Sequence, residues 1–256
     1  MAAPLEVEVT GGSRMLVRTD DSLGRVLAIA GVWEPNVTAA FRSSLSPGDV
    51  CIDIGAHIGY YTLLASRLVG PRGHVYAFEP SPRSYGALHA NLDRNKVTNV
   101  TAIRAAVGED AGPAELYEGP GTNTGGATMQ VVLADRRGLR EPVAVDVRPV
   151  TAAIPAADLR RVRAVKIDVE GAEVDVLRSL APVFAEAPHL AVFVELNPKW
   201  IPGITEYVAD LCASQGFVAR RIRSGYTLEG LFPDRLSEPE HITVIPEEHC
   251  DLLLTR

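Results

Sequence analysis

Apolar residues in this chain gather into short dense runs, and between the runs they recur every three to four positions. The runs lie at 50–54, 74–79, 100–107, 163–169, 190–196, 217–222 and 241–246, and their lengths predict buried strands. A helical period marks 58–69, 82–94, 172–181 and 204–214. Near-continuous apolar strands alternating with amphipathic helices predict an α/β fold, a doubly wound and mostly parallel sheet covered on both faces. Two stretches depart from the alternation. Residues 113–147 have no helical period and carry GPGTNTGG (119–126), which predicts an antiparallel excursion with a loop at its tip. FVARRI (217–222) and HITVIP (241–246) have no helix pattern between them and predict antiparallel neighbours at one sheet edge. Upstream, LEVEV (5–9) and RMLVR (14–18) flank Gly11 and Gly12 as a hairpin would. The segment 31–45 reads as helical from Pro35, with Pro47 and Gly48 as its stop. Residues 1–47 are read as an N-terminal extension packed on a core of 48–256, together one compact domain.

Length and charge narrow the class. At 256 residues the chain suits one well-buried core. No apolar run approaches a membrane span, and Glu6 and Glu8 fall where a signal peptide needs an apolar centre, so a cytoplasmic location is expected. Cys51, Cys212 and Cys250 are widely spaced, which indicates neither a disulfide framework nor a zinc ribbon. A net charge of −7 argues against a large phosphate-binding surface, so no nucleic-acid partner is expected. Arg160, Arg161 and Arg163, like Arg220, Arg221 and Arg223, read as solvated faces.

The chemistry begins where the run at 50–54 meets DIGAHIG (53–59). Gly55 permits a tight turn and close approach of a cofactor, and Gly59 lets the next helix pack on the strand. Glu79 ends the following strand, 24 residues after Gly55, and an acid there suits ribose hydroxyls. A dinucleotide fingerprint has a second glycine in this turn; here it is His57, whose side chain stands where phosphates would pass. This counts against an NAD-dependent oxidoreductase, the competing enzyme class, and for a phosphate-free adenosine cofactor such as S-adenosylmethionine. Asp53 would then meet the amino-acid end of the cofactor. His57 is read equally as a cofactor hydrogen-bond partner or as a helix-start residue.

VKIDVEGAEVDVL (165–177) supplies the next group. Asp168 and Glu170 share one face at the carboxyl edge of the sheet, where α/β proteins bind ligands, and are the candidate general bases. Glu173 falls in the first turn of a helix, where the dipole stabilises a carboxylate without further function. His241 and Glu34 stand behind them as bases, His241 reading better as a strand-start histidine. In FVELNPKW (193–200), Asn197 and Pro198 read as a strand end and turn. Asp168, Glu195 and Asn197 end adjacent strands and offer oxygen ligands of the kind Mg²⁺ takes, but Glu195 reads better as a strand-end acid, so no metal is assigned.

WEPNVTAAF (33–41), DIGAHIGYYT (53–62), AFEPSPRSYGALHANLDRN (77–95), AVGEDAG (106–112), Asn123–Gly126 and VKIDVEGAEVDVLRSL (165–180) together resemble the FkbM family of class I S-adenosylmethionine-dependent methyltransferases. The resemblance implies a seven-stranded Rossmann-like sheet with an antiparallel last strand. It implies S-adenosylmethionine as cofactor, with Ala106 added to Asp53, Gly55, His57, Gly59 and Glu79 in its binding set. The acceptor it implies is a hydroxyl-bearing small molecule, a sugar or natural-product scaffold of secondary metabolism. RNA methylation is the alternative within the same chemistry, and a homodimer is left open.

Overall fold

The strand VCIDI is buried at every position, because it lies in the middle of a sheet with helices on both faces. The computed structural model describes residues 3–224, 230, 233 and 235–256. In chain order, β1 (Leu5–Val9) and β2 (Ser13–Val17) form the expected hairpin, followed by α1 (Ser22–Ala30) and α2 (Pro35–Ser43). Then come β3 (Val50–Ile54), α3 (Tyr60–Val69), β4 (His74–Phe78), α4 (Pro82–Arg94), β5 (Val100–Ile103) and β6 (Ala106–Val107). The insertion comprises β7 (Gly112–Tyr117), α5 (Val131–Arg137) and β8 (Pro142–Arg148). The second half runs α6 (Ala156–Leu159), β9 (Val162–Ile167), α7 (Glu173–Ser179), α8 (Ala181–Glu186), β10 (Ala191–Leu196), α9 (Ile204–Gln215), β11 (Val218–Ile222), β12 (Glu240–His241) and β13 (Cys250–Thr255).

Among the described residues the main sheet has the order β12-β11-β13-β10-β9-β3-β4-β5. The seven strands from β11 to β5 are the doubly wound sheet expected, with β13 antiparallel to both its neighbours; β12 adds a two-residue edge. Strand order reverses between β3 and β9, so their carboxyl ends open the crevice in which such sheets bind ligands.

Four sequence expectations are corrected. The last strand is CDLLLT (250–255), and of HITVIP only His241 joins a strand, β12. The slot between β10 and β11 is buried on both sides; Leu252, Leu253 and Leu254 satisfy both faces, whereas Val244 is exposed. The run 100–107 breaks after Ile103, and β6 leaves the main sheet to pair with β8. The excursion 113–147 does contain antiparallel β7 and β8, but also helix α5, too short to display a period and burying only Leu133 and Ala134. Helix α1 was not expected, since Gly24 interrupts its helix-forming residues; Asp21 caps its start and left-handed Gly31 its end. The arginines of both basic clusters have partners: Arg160 pairs with Glu186, Arg161 with Asp158, Arg221 with Glu248 and Arg223 with Glu240. Arg163 reaches the His189 carbonyl and Arg220 the Thr255 hydroxyl. Among the described residues no helix is long and apolar enough to cross a membrane.

The hairpin is tied to the core by Met15 and Val17, which join the apolar cluster on the α2–α3 side of the sheet, and by Leu16 N–H donating to Asn91. Cys51 is buried in that cluster and packs there as a small hydrophobe.

Candidate active site

Gly55 turns the chain out of β3 in a left-handed conformation, φ 82°, and a Cβ on it would lie 1.9 Å from the Asp168 carbonyl oxygen. The turn therefore lies hard against the neighbouring strand end. Gly55→Ala is expected to destabilise the fold by about 2–4 kcal/mol, read by urea unfolding, through left-handed strain plus a backbone clash; a loss below about 0.5 kcal/mol would show that this contact yields freely. Gly59, φ 94°, is needed for helix–helix and not helix–strand packing: its absent Cβ would meet Leu88 of α4 at 2.6 Å. The N–H groups of Gly55 and Ala56 both reach the Phe78 carbonyl, at 2.9 and 3.0 Å, which pins the turn to β4.

Glu79 follows β4 directly and is buried. Its Oε2 accepts the His57 N–H and its Oε1 the Ser81 N–H, each at 2.8 Å. Burial pushes its carboxyl up to about 7 against the pull of those two bonds. Each oxygen keeps an acceptor site for a further donor. Asp53 is also buried and takes the Thr62 hydroxyl at 2.5 Å; burial raises it to about 6, opposed by Thr62 and Lys166. Ala106 stands in β6, next to the opening.

These groups share one open cavity of about 190 Å³. Its wall holds Asp53, the turn at 55–58, Glu79, Ala106, Asp168, Glu170 and Glu195, and Gly59 lies just behind it. Both base candidates are thus on the wall. Asp168 has Oδ2 3.3 Å from the Lys166 ammonium. Glu170 has Oε2 2.7 Å from Arg137, and burial pushes it up to about 7 in spite of that pair. Arg137 also donates to the Gly126 carbonyl at 2.9 Å and lies 4.5 Å from the Trp200 ring centroid, which moors the insertion over the cleft.

The secondary candidates fare differently. His241 is exposed on the edge strand β12, away from the cavity. Glu34 is buried behind the wall and accepts the Tyr61 hydroxyl at 2.9 Å. Of the three oxygen ligands considered for Mg²⁺, Asp168 is paired with Lys166 and Glu195 is engaged by His249. Asn197 makes the expected turn, its carbonyl accepting the Trp200 N–H at 2.9 Å. Glu173 Oε1 accepts the Gly171 N–H at 3.3 Å, a local turn role.

Sequence reasoning missed the partners contributed from afar: Arg137 on Glu170, and Lys166, which reads as one polar residue in an alternating strand.

The Methyltransferase FkbM domain model matches residues 53–218, more than half of the chain. The chain belongs to the FkbM methyltransferase family. Methyltransferase 1 of Beauveria bassiana is 34% identical over 146 residues, 50% of this chain and 57% of that protein. Hexuronic acid methyltransferase AglP of Haloferax volcanii is 25% identical over 208 residues, 77% of each chain. The 31-O-demethyl-FK506 methyltransferase FkbM of Streptomyces tacrolimicus is 44% identical over 68 residues, 27% of this chain and 25% of that protein. The chain spans little more than half the length of the Beauveria relative. The cavity suits the S-adenosylmethionine that the resemblance implies. Five carboxylates and, among the described residues, no lysine or arginine line the wall, which suits a sulfonium cation and offers no cationic partner to a pyrophosphate.

Proposed function

We propose that the protein transfers the methyl of S-adenosylmethionine to a hydroxyl of a neutral small molecule, a sugar or natural-product scaffold. In this reading the cofactor is held by Asp53, the turn from Gly55 through His57 to Gly59, Glu79 and Ala106. Residues 48–256 form the methyltransferase domain, and 1–47 extend it by adding Trp33 and the start of α1 to the wall. When bound, S-adenosylmethionine supplies a methyl already activated by its positive sulfur.

The observation that carries the acceptor class is the wall itself. Asp168 and Glu170 each keep one carboxylate oxygen outside their ion pairs and face the cavity, so each is placed to take the proton an alcohol loses as its oxygen is methylated. Glu170, near 7, is matched to base work at neutral pH. A wall without a cationic lining residue disfavours an anionic acceptor. The name of the Streptomyces relative, with its O-demethyl substrate, supports a hydroxyl; that of AglP supports a sugar and admits a carboxyl.

The test uses S-adenosylmethionine labelled in its methyl group with methyl glucoside, methyl glucuronoside and a hydroxylated macrolactone. Label stable to mild alkali marks an ether and supports hydroxyl methylation. Alkali-labile label on the uronic acid alone, or no transfer to any of the three, would sink the proposal. With a competent acceptor, Asp168→Asn and Glu170→Gln are each expected to bind cofactor normally by calorimetry, and the variant lacking the base loses about two decades of turnover. Wild-type turnover in both would remove the two acids from catalysis.

In this reading the acceptor side draws on the segment 31–45, the excursion and the loop 223–240. Trp33, residues 123–125 and residues 127–129 line the cavity. Residues 225–229, 231, 232 and 234 of that loop lie outside the described residues.

A further inference from the structure

Three elements far apart in the chain meet at Thr124, in the insertion loop. Its N–H and its hydroxyl lie 2.7 and 2.8 Å from Asp21 Oδ1, at the start of α1. The same hydroxyl lies 2.8 Å from Nε2 of His57, in the glycine turn. Around this junction the Ser22 N–H reaches the Thr122 carbonyl at 3.0 Å.

The direction of each bond follows from what the groups can do. Asp21 is buried, and both of its carboxylate oxygens already accept backbone N–H groups, Oδ1 from Thr124 and Oδ2 from Gly24. Neither oxygen is placed to donate, so the hydroxyl proton of Thr124 points to Asp21. The Thr124 oxygen is then left to accept, and His57 must donate from Nε2. Burial pushes the imidazole down, in favour of the neutral ring that carries a single N–H. That proton is on Nε2, and Nδ1 holds a lone pair. His57 lines the cavity, and among the described residues no hydrogen bond reaches Nδ1.

We propose that Asp21 and Thr124 are positioning residues that hold His57 in its Nε2–H tautomer, so that Nδ1 accepts a hydrogen bond from a donor on the bound cofactor. The proposal rests on the reading that the cofactor lies over the glycine turn. The His57 backbone supports it: the residue is non-glycine at φ 50° and its N–H is spent on Glu79, so one residue orients the carboxylate and presents the ring. The donors such a lone pair can take on this cofactor are a nucleoside hydroxyl or amino group and the ammonium of the amino-acid end. The junction also joins α1 and the insertion to the turn, so binding at the turn is coupled to the position of the loop.

The experiment is ¹⁵N NMR of the imidazole nitrogens in the full chain, with S-adenosylhomocysteine and 5′-methylthioadenosine as probes and calorimetry alongside. The free protein is expected to show His57 as a single Nε2–H tautomer, and S-adenosylhomocysteine is expected to move the Nδ1 resonance. A response to both probes places the donor on the nucleoside; a response to S-adenosylhomocysteine alone places it on the amino-acid end. Thr124→Val is expected to mix the tautomers and weaken S-adenosylhomocysteine binding about tenfold, and Thr124→Ser to restore both. A loop tie that served stability alone would leave Nδ1 silent to both probes. An Nδ1–H tautomer in the free protein, a silent Nδ1, or a Thr124→Val variant with unchanged tautomer and affinity overturns the proposal. If wild-type protein binds neither probe, the cofactor placement itself fails; if it binds with Nδ1 silent, only the role of His57 falls.

Discussion

Replacing Glu79 by alanine is expected to weaken S-adenosylmethionine binding by about two to four decades. Two ribose hydroxyls donating to an ionised carboxylate contribute about 1.5–3 kcal/mol each, and every 1.4 kcal/mol is tenfold in affinity. The same change strips the His57 and Ser81 N–H groups of their acceptor, so the turn loses the group that orients it. Isothermal calorimetry reads the loss, and an affinity within threefold of wild type would remove Glu79 from the cofactor site.

The wild-type protein carries a pH signature of the same contact. Burial holds Glu79 near 7 in the free protein, while hydroxyl donors favour its ionised form. Binding should therefore release a proton below that pH, and affinity should fall by up to about tenfold per pH unit below 7. The effect on folding has the opposite sense. Glu79 binds its proton more tightly folded than unfolded, so its contribution to stability is full below its ordinary value of 4.5. That contribution is lost as pH rises from there to about 7. A calorimetric affinity flat between pH 5.5 and 8 would contradict this titration.

Lys166→Met is expected to destabilise the protein by about 3–5 kcal/mol at pH 8, the loss seen when one partner of a buried ion pair is removed. For a chain of this length that lowers the melting temperature by roughly ten degrees. Lys166 is 1% exposed. Burial alone would depress its ammonium, but Asp168, Glu34, Asp251 and Glu195 outweigh burial and hold it above its ordinary value. Those acids come from four elements: Glu34 from the start of α2, Asp168 from the end of β9, Glu195 from β10 and Asp251 from β13. Glu195 and Asp251 are direct cross-strand partners. Methionine keeps the volume and leaves these carboxylates without their cation.

The pH dependence gives the direction. Burial raises Glu34 well above its usual value and Asp251 to about 6, so as pH falls through 6 Asp251 takes up a proton and needs the ammonium less. The deficit of Lys166→Met should shrink from pH 8 to pH 5, and Asp251→Asn in the same chain should recover part of it at pH 8. Urea unfolding at the two pH values measures this. An equal loss at both would mean that packing, not charge, is what Lys166 supplies.

Much of the cofactor half of the site was legible in the sequence. A buried strand, a glycine turn and an acid at the next strand end are local patterns, and parallel neighbours β3 and β4 carry them to the same edge. Gly55, His57 and Glu79 therefore met as expected, joined by the His57 N–H bond to Glu79. Asp168 and Glu170 reached the wall for the same reason, two residues apart at the end of one strand.

What escaped the sequence came from elements with no local link. CDLLLT and HITVIP both read as apolar; the two-sided burial of the slot between β10 and β11 chose the first and brought Asp251 opposite Glu195. Thr124 and Asp21 are ordinary polar residues of a loop and a helix cap until they close on His57. Arg137 belongs to a helix too short to announce itself, yet it claims Glu170.

The sequence by itself determined the fold and brought the glycine turn and the strand-end acids to one edge of the sheet, because hydrophobic period and turn chemistry act between near neighbours. Only the tertiary structure decided which charges are buried together and which way the hydrogen bonds of His57 run. Those depend on desolvation and on partners a hundred residues away, and neither is written in the spacing of any one segment.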